Sequence, residues 1–443
     1  MSELQRKVYV TRKDNVITIE AMNHPRCVTD FAREMIHAQE AGYSDIQIVW
    51  TGTDAAIYPN ACVPIASMID FFTNECGFTF KYTGFDEYKG FLNSCHFRHP
   101  MVLSEEEIHA LPNPFNALIR YENFHQVYAF TQKCIDYITE QETCEKGALD
   151  GLQWCINEVM DNVNVHSERG YGFVMAQFHR LQKRIVFCIA DSGIGIFNSL
   201  RASNHRPSTN IDAISLAIQE GIGDGKGQGN GLFGLFQIIK SNGGCLTITS
   251  HGASMMLLQD GTINKYTHLP CVNFQTPGTI VDFQMYLDKE VCLSDAFSSI
   301  GGYDEIDYSI EKLMDDNNVI QFDVFANCEG TATREAGRML RNTVINMVRR
   351  ASAPICLDFS KVNMVSSSFI DEFLSKMVID MGLVQFNQVV RIKQMNPTVS
   401  LLFNRSTYMR IHNEWENRGT DRTVIDNEQS FRIRQAAARH HAQ

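Results

Sequence analysis

The 443-residue chain has no apolar run approaching the ~18 residues that a membrane helix needs. Its first residues, Met1 to Asp14, alternate charged and apolar side chains and lack the apolar block of a signal peptide. Both absences point to a cytoplasmic protein with no membrane partner. No C-x-x-C pair occurs among its 13 cysteines, most of which lie in apolar runs such as Val186–Ile189 and Ile355–Leu357. Buried free thiols fit that placement better than a disulfide framework. Positive charge is in deficit, with 39 Lys and Arg against 51 Asp and Glu and a net charge of −12. A chain of that balance is a poor candidate for nucleic acid as its main partner, because phosphate binding needs clustered Lys and Arg. A local basic patch is still compatible with it.

What is present is an ordinary globular composition, 44% apolar, in a chain long enough for two or three domains. Residues 1–103 read β-α-β-α-β. Strands are expected at Val16–Ile19, Ile46–Trp50 and Phe78–Tyr82, with helices on the stripe Val28, Phe31, Ala32, Met35 and Ile36 and over Ala61–Phe72. The acidic, proline-punctuated segment Ser104–Pro114 reads as a linker or a domain edge. A central unit, 104–290, follows with helices over Phe124–Gln141, Lys146–His166 and Leu232–Ser241. Its strands are expected at Gly172–His179, Arg184–Ala190, Leu246–Ser250, Met255–Gln259 and Thr279–Tyr286. Within it, 197–225 is polar, broken by Pro207, and has the character of a lid with one helix at Asp212–Gln219. Residues 291–317 read as a linker and 318–412 as a third unit whose layout echoes the first. The charged tail 413–443 reads as solvated.

Three short islands in the central unit carry the chemistry. The first is Glu158-x-x-x-Asn162-x-x-x-His166 on a helix whose apolar side holds Leu152, Cys155, Ile156, Val159 and Val163. Asn162 can offer its carbonyl oxygen to Mg²⁺, and Glu158, one turn earlier, can take a proton from an attacking hydroxyl or water. Alone, such a helix is equally a solvated face. The second island, Asp191-Ser-Gly193-Ile-Gly195, follows an apolar strand. A carboxylate only accepts hydrogen bonds, so Asp191 suits the exocyclic amine of adenine and rejects the keto oxygen of guanine. Gly193 and Gly195 permit backbone conformations and a close approach that a Cβ would block. An ordinary turn has the same pattern. The third island alternates glycine through Gly223, Gly225, Gly227, Gly229 and Gly231 and enters a helix at Leu232. Amides at that helix start can cradle phosphates, Lys226 can add charge, and a flexible loop is the plain alternative. The G-x-x-x-x-G-K-[ST] spacing of a Walker A loop is absent.

In this order the islands resemble the GHKL ATPase family, which includes gyrase, MutL, the heat-shock chaperone ATPases, histidine kinases and anti-sigma serine kinases. Glu158 and Asn162 match its N box, Asp191 to Gly195 its first glycine box, and Gly227 to Leu232 its second. Pro277-Gly278-Thr279 before a strand is similar to its final element, with Thr279 at the adenine end. The resemblance covers roughly 140–287 and implies a Bergerat-type α/β sandwich within an α+β chain. ATP and Mg²⁺ would be its cofactors, with Glu158 as base and Asn162 as metal ligand. Asp191, Gly193, Gly195, Lys226, Gly227, Gly229, Gly231, Leu232 and Thr279 would form the remaining nucleotide contacts.

Common histidine kinases carry Lys three residues after the Asn, where this chain has Val165, and His125 lies in surroundings unlike a phosphoacceptor box. The N-x-x-x-H form ending in His166 resembles the anti-sigma serine kinases and one histidine-kinase subgroup. Leu357-Asp-Phe-Ser-Lys-Val-Asn-Met-Val-Ser-Ser-Ser-Phe369 in turn resembles STAS-like domains related to anti-sigma antagonists. Their phosphorylated Ser aligns with Ser367, although Ser366 replaces an Asp and Phe369 a Gly of their pattern. Helix capping by Ser366–Ser368, with Asp371 completing a capping box, accounts for the same residues. The N-terminal unit resembles a degenerate STAS relative, with Pro59-Asn60-Ala61 at the corresponding turn and no serine there. The leading expectation is an ATP-driven regulatory switch that signals through STAS-like domains to a protein partner. A serine/threonine protein kinase of the partner-switching type and a non-hydrolysing ATP-binding module are the alternatives. The partner would be a STAS-domain or regulatory protein, and a homodimer is one assembly left open.

Overall fold

A computed structural model describes residues 8–52, 57–84, 95–201, 203, 205–223, 231–269, 278–293, 313–315, 317–328 and 330–413. The chain is α+β, and its contacts group it into two units, 1–138 with 144–305, and 139–143 with 306–443.

The first unit contains two sheets. The smaller runs β1 (Val10–Lys13), β2 (Val16–Ile19), β3 (Asp45–Trp50) and β4 (Thr79–Thr83) in that order. β1 and β2 are an antiparallel hairpin, whereas β2, β3 and β4 are parallel and linked through α1 (Arg26–Glu40) and α2 (Pro59–Cys76). Helix α1 buries the stripe Val28, Phe31, Ala32, Met35 and Ile36 and leaves its other face to solvent. Helix α2 differs. Every residue from Ala61 to Met68 is buried, because this helix is covered by sheet on two sides. It starts with Pro59, whose missing N–H costs nothing there, and ends at Gly77 in the left-handed region.

The larger sheet has the order β11-β10-β9-β12-β8-β7-β6-β5. Its strands are β5 (Met101–Val102), β6 (Ile119–Tyr121), β7 (Gly172–His179), β8 (Arg184–Ala190), β9 (Cys245–Ser250), β10 (Ala253–Leu257), β11 (Ile263–Tyr266) and β12 (Thr279–Tyr286). All neighbours are antiparallel except β5 and β6. The central strands are apolar on both faces because both faces are covered. Val174, Ala176, Ile185, Phe187 and Ile189 pack with α4 (Phe124–Gln141), α5 (Ala148–His166) and α8 (Gly231–Asn242). The alternate residues Phe173, Met175, Cys188 and Ala190 join the core of α2. Asp282 in β12 also lies on the α2 side, buried near Asn60, and burial pushes its carboxyl up to about 7 against a hydrogen bond from Asn60.

The short strands β1, β6 and β11 went unread in the sequence because each has only three or four residues, several of them charged or polar. The segment Ser104–Pro114 contains a helical turn, α3 (Glu105–His109), closed by a capping box. Ser104 Oγ accepts the Glu107 N–H at 3.2 Å, and Glu107 accepts the Ser104 N–H at 2.8 Å. Within 197–225, α6 (Gly195–Arg201) and α7 (Asn210–Ala217) bury Leu200, Ala213, Ile214 and Ala217 in the main core.

In the second unit β13 (Ile320–Asp323), β14 (Ile355–Asp358) and β15 (Val390–Lys393) are parallel neighbours in that order. Helix α9 (Arg334–Ala351) follows β13, and α10 (Ser367–Met381), with a π turn at Asp371–Ser375, follows β14. Two further helices, α11 (Leu383–Val389) and α12 (397–413), flank β15. Residues 139–143 belong here for a specific reason. Their orphan carbonyls are taken by α9 side chains, Thr139 and Glu142 by Asn346 at 3.1 and 2.9 Å, Glu140 by Asn342 at 3.1 Å, and Gln141 by Arg338 at 2.7 Å. Asn342 and Asn346 are accordingly buried.

Asp282 yields a test of the two-sided burial. Its folded value of about 7 lies above the ~3.9 of a free Asp, so the folded state holds the proton more tightly. Its stabilising contribution is full below about pH 4 and is lost as pH rises through about 7. Thermal midpoints of Asp282→Asn should match wild type near pH 4 and exceed it at about pH 8.

Candidate functional site

Helix α5 builds one end of the site. Its apolar side, including Leu152, Cys155, Ile156, Val159 and Val163, is buried, and Glu158, Asn162 and His166 form a half-buried strip beside it. Gly231, the first residue of α8, lies against that strip. A Cβ on Gly231 would stand 2.5 Å from Glu158 Oε2 and 3.2 Å from Asn162 Nδ2. An acid, an amide and a helix N-terminus thus meet at Gly231, where a side chain would have to displace the Glu158 carboxylate. Burial, and then the neighbouring Asp161, push the Glu158 carboxyl above its ordinary value. Asp161 is itself pushed up to about 6 by burial, and its Oδ1 has no hydrogen-bond partner among the described residues. The sequence reading missed Asp161. Its signal was an acid three residues after Glu158 on the same helix.

The other end is the turn after β8. Asp191 is 6% exposed, and burial pushes its carboxyl up to about 6. Opposing that shift, its Oδ1 accepts the Gly193 N–H at 2.7 Å, and Thr279 and the charge of Arg169 act in the same direction. Gly193 has no room for a side chain, since a Cβ would lie 2.1 Å from the carbonyl oxygen of Ser167, just past the end of α5. That same carbonyl accepts the Ile194 N–H at 3.1 Å. Gly195 adopts φ +70°, with His251 Cδ2 2.3 Å from where its Cβ would be.

The remaining strands close on this turn. Thr279 is aligned with Ser250 on β9, and its carbonyl accepts the Asp191 N–H at 3.0 Å. The Ser250 hydroxyl donates to Gly278 O at 3.1 Å and accepts the Ile196 N–H at 3.0 Å, while His251 Nε2 lies 2.5 Å from Ile194 O. Ser250, His251 and Ser167 stitch the turns together, yet nothing in the sequence marked them. The run from Glu158 to Ser167 puts the two ends of the site roughly 13 Å apart along α5.

The structure therefore brings Glu158, Asn162 and Gly231 together at one end, and Asp191, Gly193, Gly195 and Thr279 at the other. Leu232 packs against the main core. Lys226, Gly227 and Gly229 lie outside the described residues. Ser367 is in the second unit, exposed at the first position of α10. The cap of that helix is Ser366, whose Oγ accepts the Phe369 N–H at 3.0 Å and lies 3.0 Å from Ser368 Oγ. Asp371, expected to complete a capping box, instead pairs with Arg410 at 2.6 and 2.7 Å and accepts from Ser406 at 2.8 Å. With Ser366 as the cap, the third helical position is Phe369, so Asp371 falls two residues beyond the place a capping box requires.

Residues 336–400 match the family model described as a STAS-like domain of unknown function (DUF4325). No curated protein and no solved structure matches the chain. Among the described residues, no helix is long and apolar enough to cross a membrane, and no three His, Cys, Asp or Glu side chains are grouped to hold a metal.

Gly193→Ala tests the packing of the turn. The obstructing atom is backbone and cannot swing aside, so the variant should lose about 1–3 kcal/mol of stability in denaturant unfolding.

Proposed function

We propose that the first unit is a Mg-ATP-binding domain of the GHKL type and that the chain is an ATP-driven regulatory switch. The observation carrying this reading is the contact of Gly231 with Glu158 and Asn162. It joins an acid and a metal-ligand amide to the N-terminus of a twelve-residue helix, where backbone N–H groups and the dipole attract phosphate. An amide oxygen suits Mg²⁺, which takes few protein ligands and keeps its waters and substrate phosphates. Asn162 would hold the ion, whose charge would offset that of the phosphates. Glu158, with its raised value, is a base for the attacking oxygen. Asp191, buried with one oxygen engaged by Gly193, offers its other oxygen to the adenine amine, and Thr279 adjoins it. The STAS-like match supports a C-terminal unit that addresses a protein partner. The antiparallel edge followed by three parallel strands in the N-terminal sheet supports a related origin for that module.

A second reading has its own observation. Of three adjacent serines, Ser366 and Ser368 are tied to one another, whereas Ser367 is exposed. Transfer of the γ-phosphoryl group to Ser367 Oγ, with ADP leaving and the hydroxyl proton passing to Glu158, would make the chain a serine kinase acting on a STAS-like domain.

Incubation with γ-labelled ATP separates the readings. Free phosphate without labelled protein, reduced at least a hundredfold by Glu158→Ala, marks the switch. Label on protein that disappears in Ser367→Ala marks the kinase. Bound nucleotide with neither product marks a binding module. In every case Asn162→Ala and Asp191→Ala should each weaken Mg-ATP binding about tenfold or more. Normal binding by both variants would overturn the pocket.

The pH dependence is also fixed in sign. Asp191 is the stronger acceptor for the adenine amine when ionised, so calorimetric affinity for ATP should fall as pH is lowered through about 6.

A further inference from the structure

The turn that carries Asp191 is gripped from outside the large sheet. Ser192, 2% exposed, donates its hydroxyl to Asp70 Oδ2 at 3.2 Å. Asp70 lies on α2, more than a hundred residues earlier in the chain. The same Oδ2 accepts the Tyr171 hydroxyl at 2.8 Å, and Oδ1 accepts Asn74 Nδ2 at 3.0 Å. The Arg120 guanidinium covers the Tyr171 ring at 4.2 Å. One turn further along α2, Glu75 pairs with Arg169, whose Nε approaches the Ser192 carbonyl at 3.4 Å. The Arg169 backbone N–H donates to Ser167 Oγ at 3.1 Å, which returns the network to the end of α5.

These contacts are unequal. Arg169 and Glu75 are 28% and 40% exposed, so their ion pair is solvent-screened and contributes little. The bond from Ser192 to Asp70 joins a buried hydroxyl to a charged acceptor, the kind whose loss is felt most. Asp191 itself has no bond to α2. Its carboxylate is aimed by the backbone of Asp191–Gly193, and the side chain in the middle of that backbone is the one α2 holds.

We propose that Asp70 is a positioning residue for adenine recognition, acting through Ser192 to fix the direction of the Asp191 carboxylate. The N-terminal module is then part of the nucleotide site, and a ligand or partner that shifts α2 would change which base the pocket accepts. This rests on the nucleotide reading above.

Calorimetric titration of the full chain with Mg-ATP and with Mg-GTP tests it. Asp70→Ala and Ser192→Ala should each weaken ATP binding roughly tenfold, with GTP binding changed less than about twofold, so that discrimination falls. The double variant should bind ATP no more weakly than the worse single one, because both remove one interaction. Asp70→Asn keeps an acceptor oxygen for Ser192 and should bind ATP within about threefold of wild type. ATP affinity unchanged in both alanine variants, or ATP and GTP weakened equally, overturns the positioning role. If Asp191→Ala loses ATP while Asp70→Ala and Ser192→Ala keep it, only this inference fails. If wild type binds no ATP, or Asp191→Ala binds it normally, the nucleotide reading falls and takes this inference with it.

Discussion

Burial of β7 and β8 on both faces is the constraint from which the rest of the first unit follows. A strand covered on one side alternates apolar and polar residues, whereas these two are apolar on both faces over Phe173–Ala176 and Ile185–Ala190. That demands a second covering layer, and α2 supplies it at the cost of being apolar around most of its own circumference. The end of β8 is consequently rigid, and Asp191 sits on that end. Its carboxyl is buried because the layers converge there, and its raised value follows from the same convergence. Glycine at 193 and 278 is the other side of this crowding, since a Cβ at either position would meet backbone about 2 Å away.

Much of this was legible in the sequence where it rested on period. The stripes of α1 and α5 and the apolar runs of β3, β7 and β8 follow directly from side-chain periodicity. The islands on α5 and at the start of α8 meet at Gly231, and the turn after β8 lies against the end of α5, although nothing in their spacing told which glycine would touch Glu158. Very short strands stayed hidden. β1, β6 and β11 have too few residues for a pattern, and their partners are set by the sheet. Long-range contacts also stayed hidden. The pairing of Asp371 with Arg410, 39 positions later, has no local sign. The grip of Asp70 on Ser192 spans 122 positions and has no local signature at all.

The two parallel arrays in the chain use polar groups differently. In the N-terminal sheet the polar side chains of α2 reach outward to the neighbouring turn. In the C-terminal unit charge is turned inward, where Glu372 lies against Arg341, Arg334 and Lys376 and holds its carboxyl below the usual range despite burial. The π turn at Asp371–Ser375 places Asp371 toward α12 and Glu372 toward α9, so that one widened turn serves two helices.

Asn342, Asn346 and Arg338 impose a rule on how this chain can be cut. The peptide carbonyls they bond, at residues 139 to 142, come from a distant part of the chain. A fragment that begins at 306 would lack the carbonyls of residues 139 to 142 that these side chains bond, and would open the α9 face that they cover to water. The C-terminal unit is therefore discontinuous in sequence. A five-residue peptide from the middle of the chain is grouped with it by its contacts.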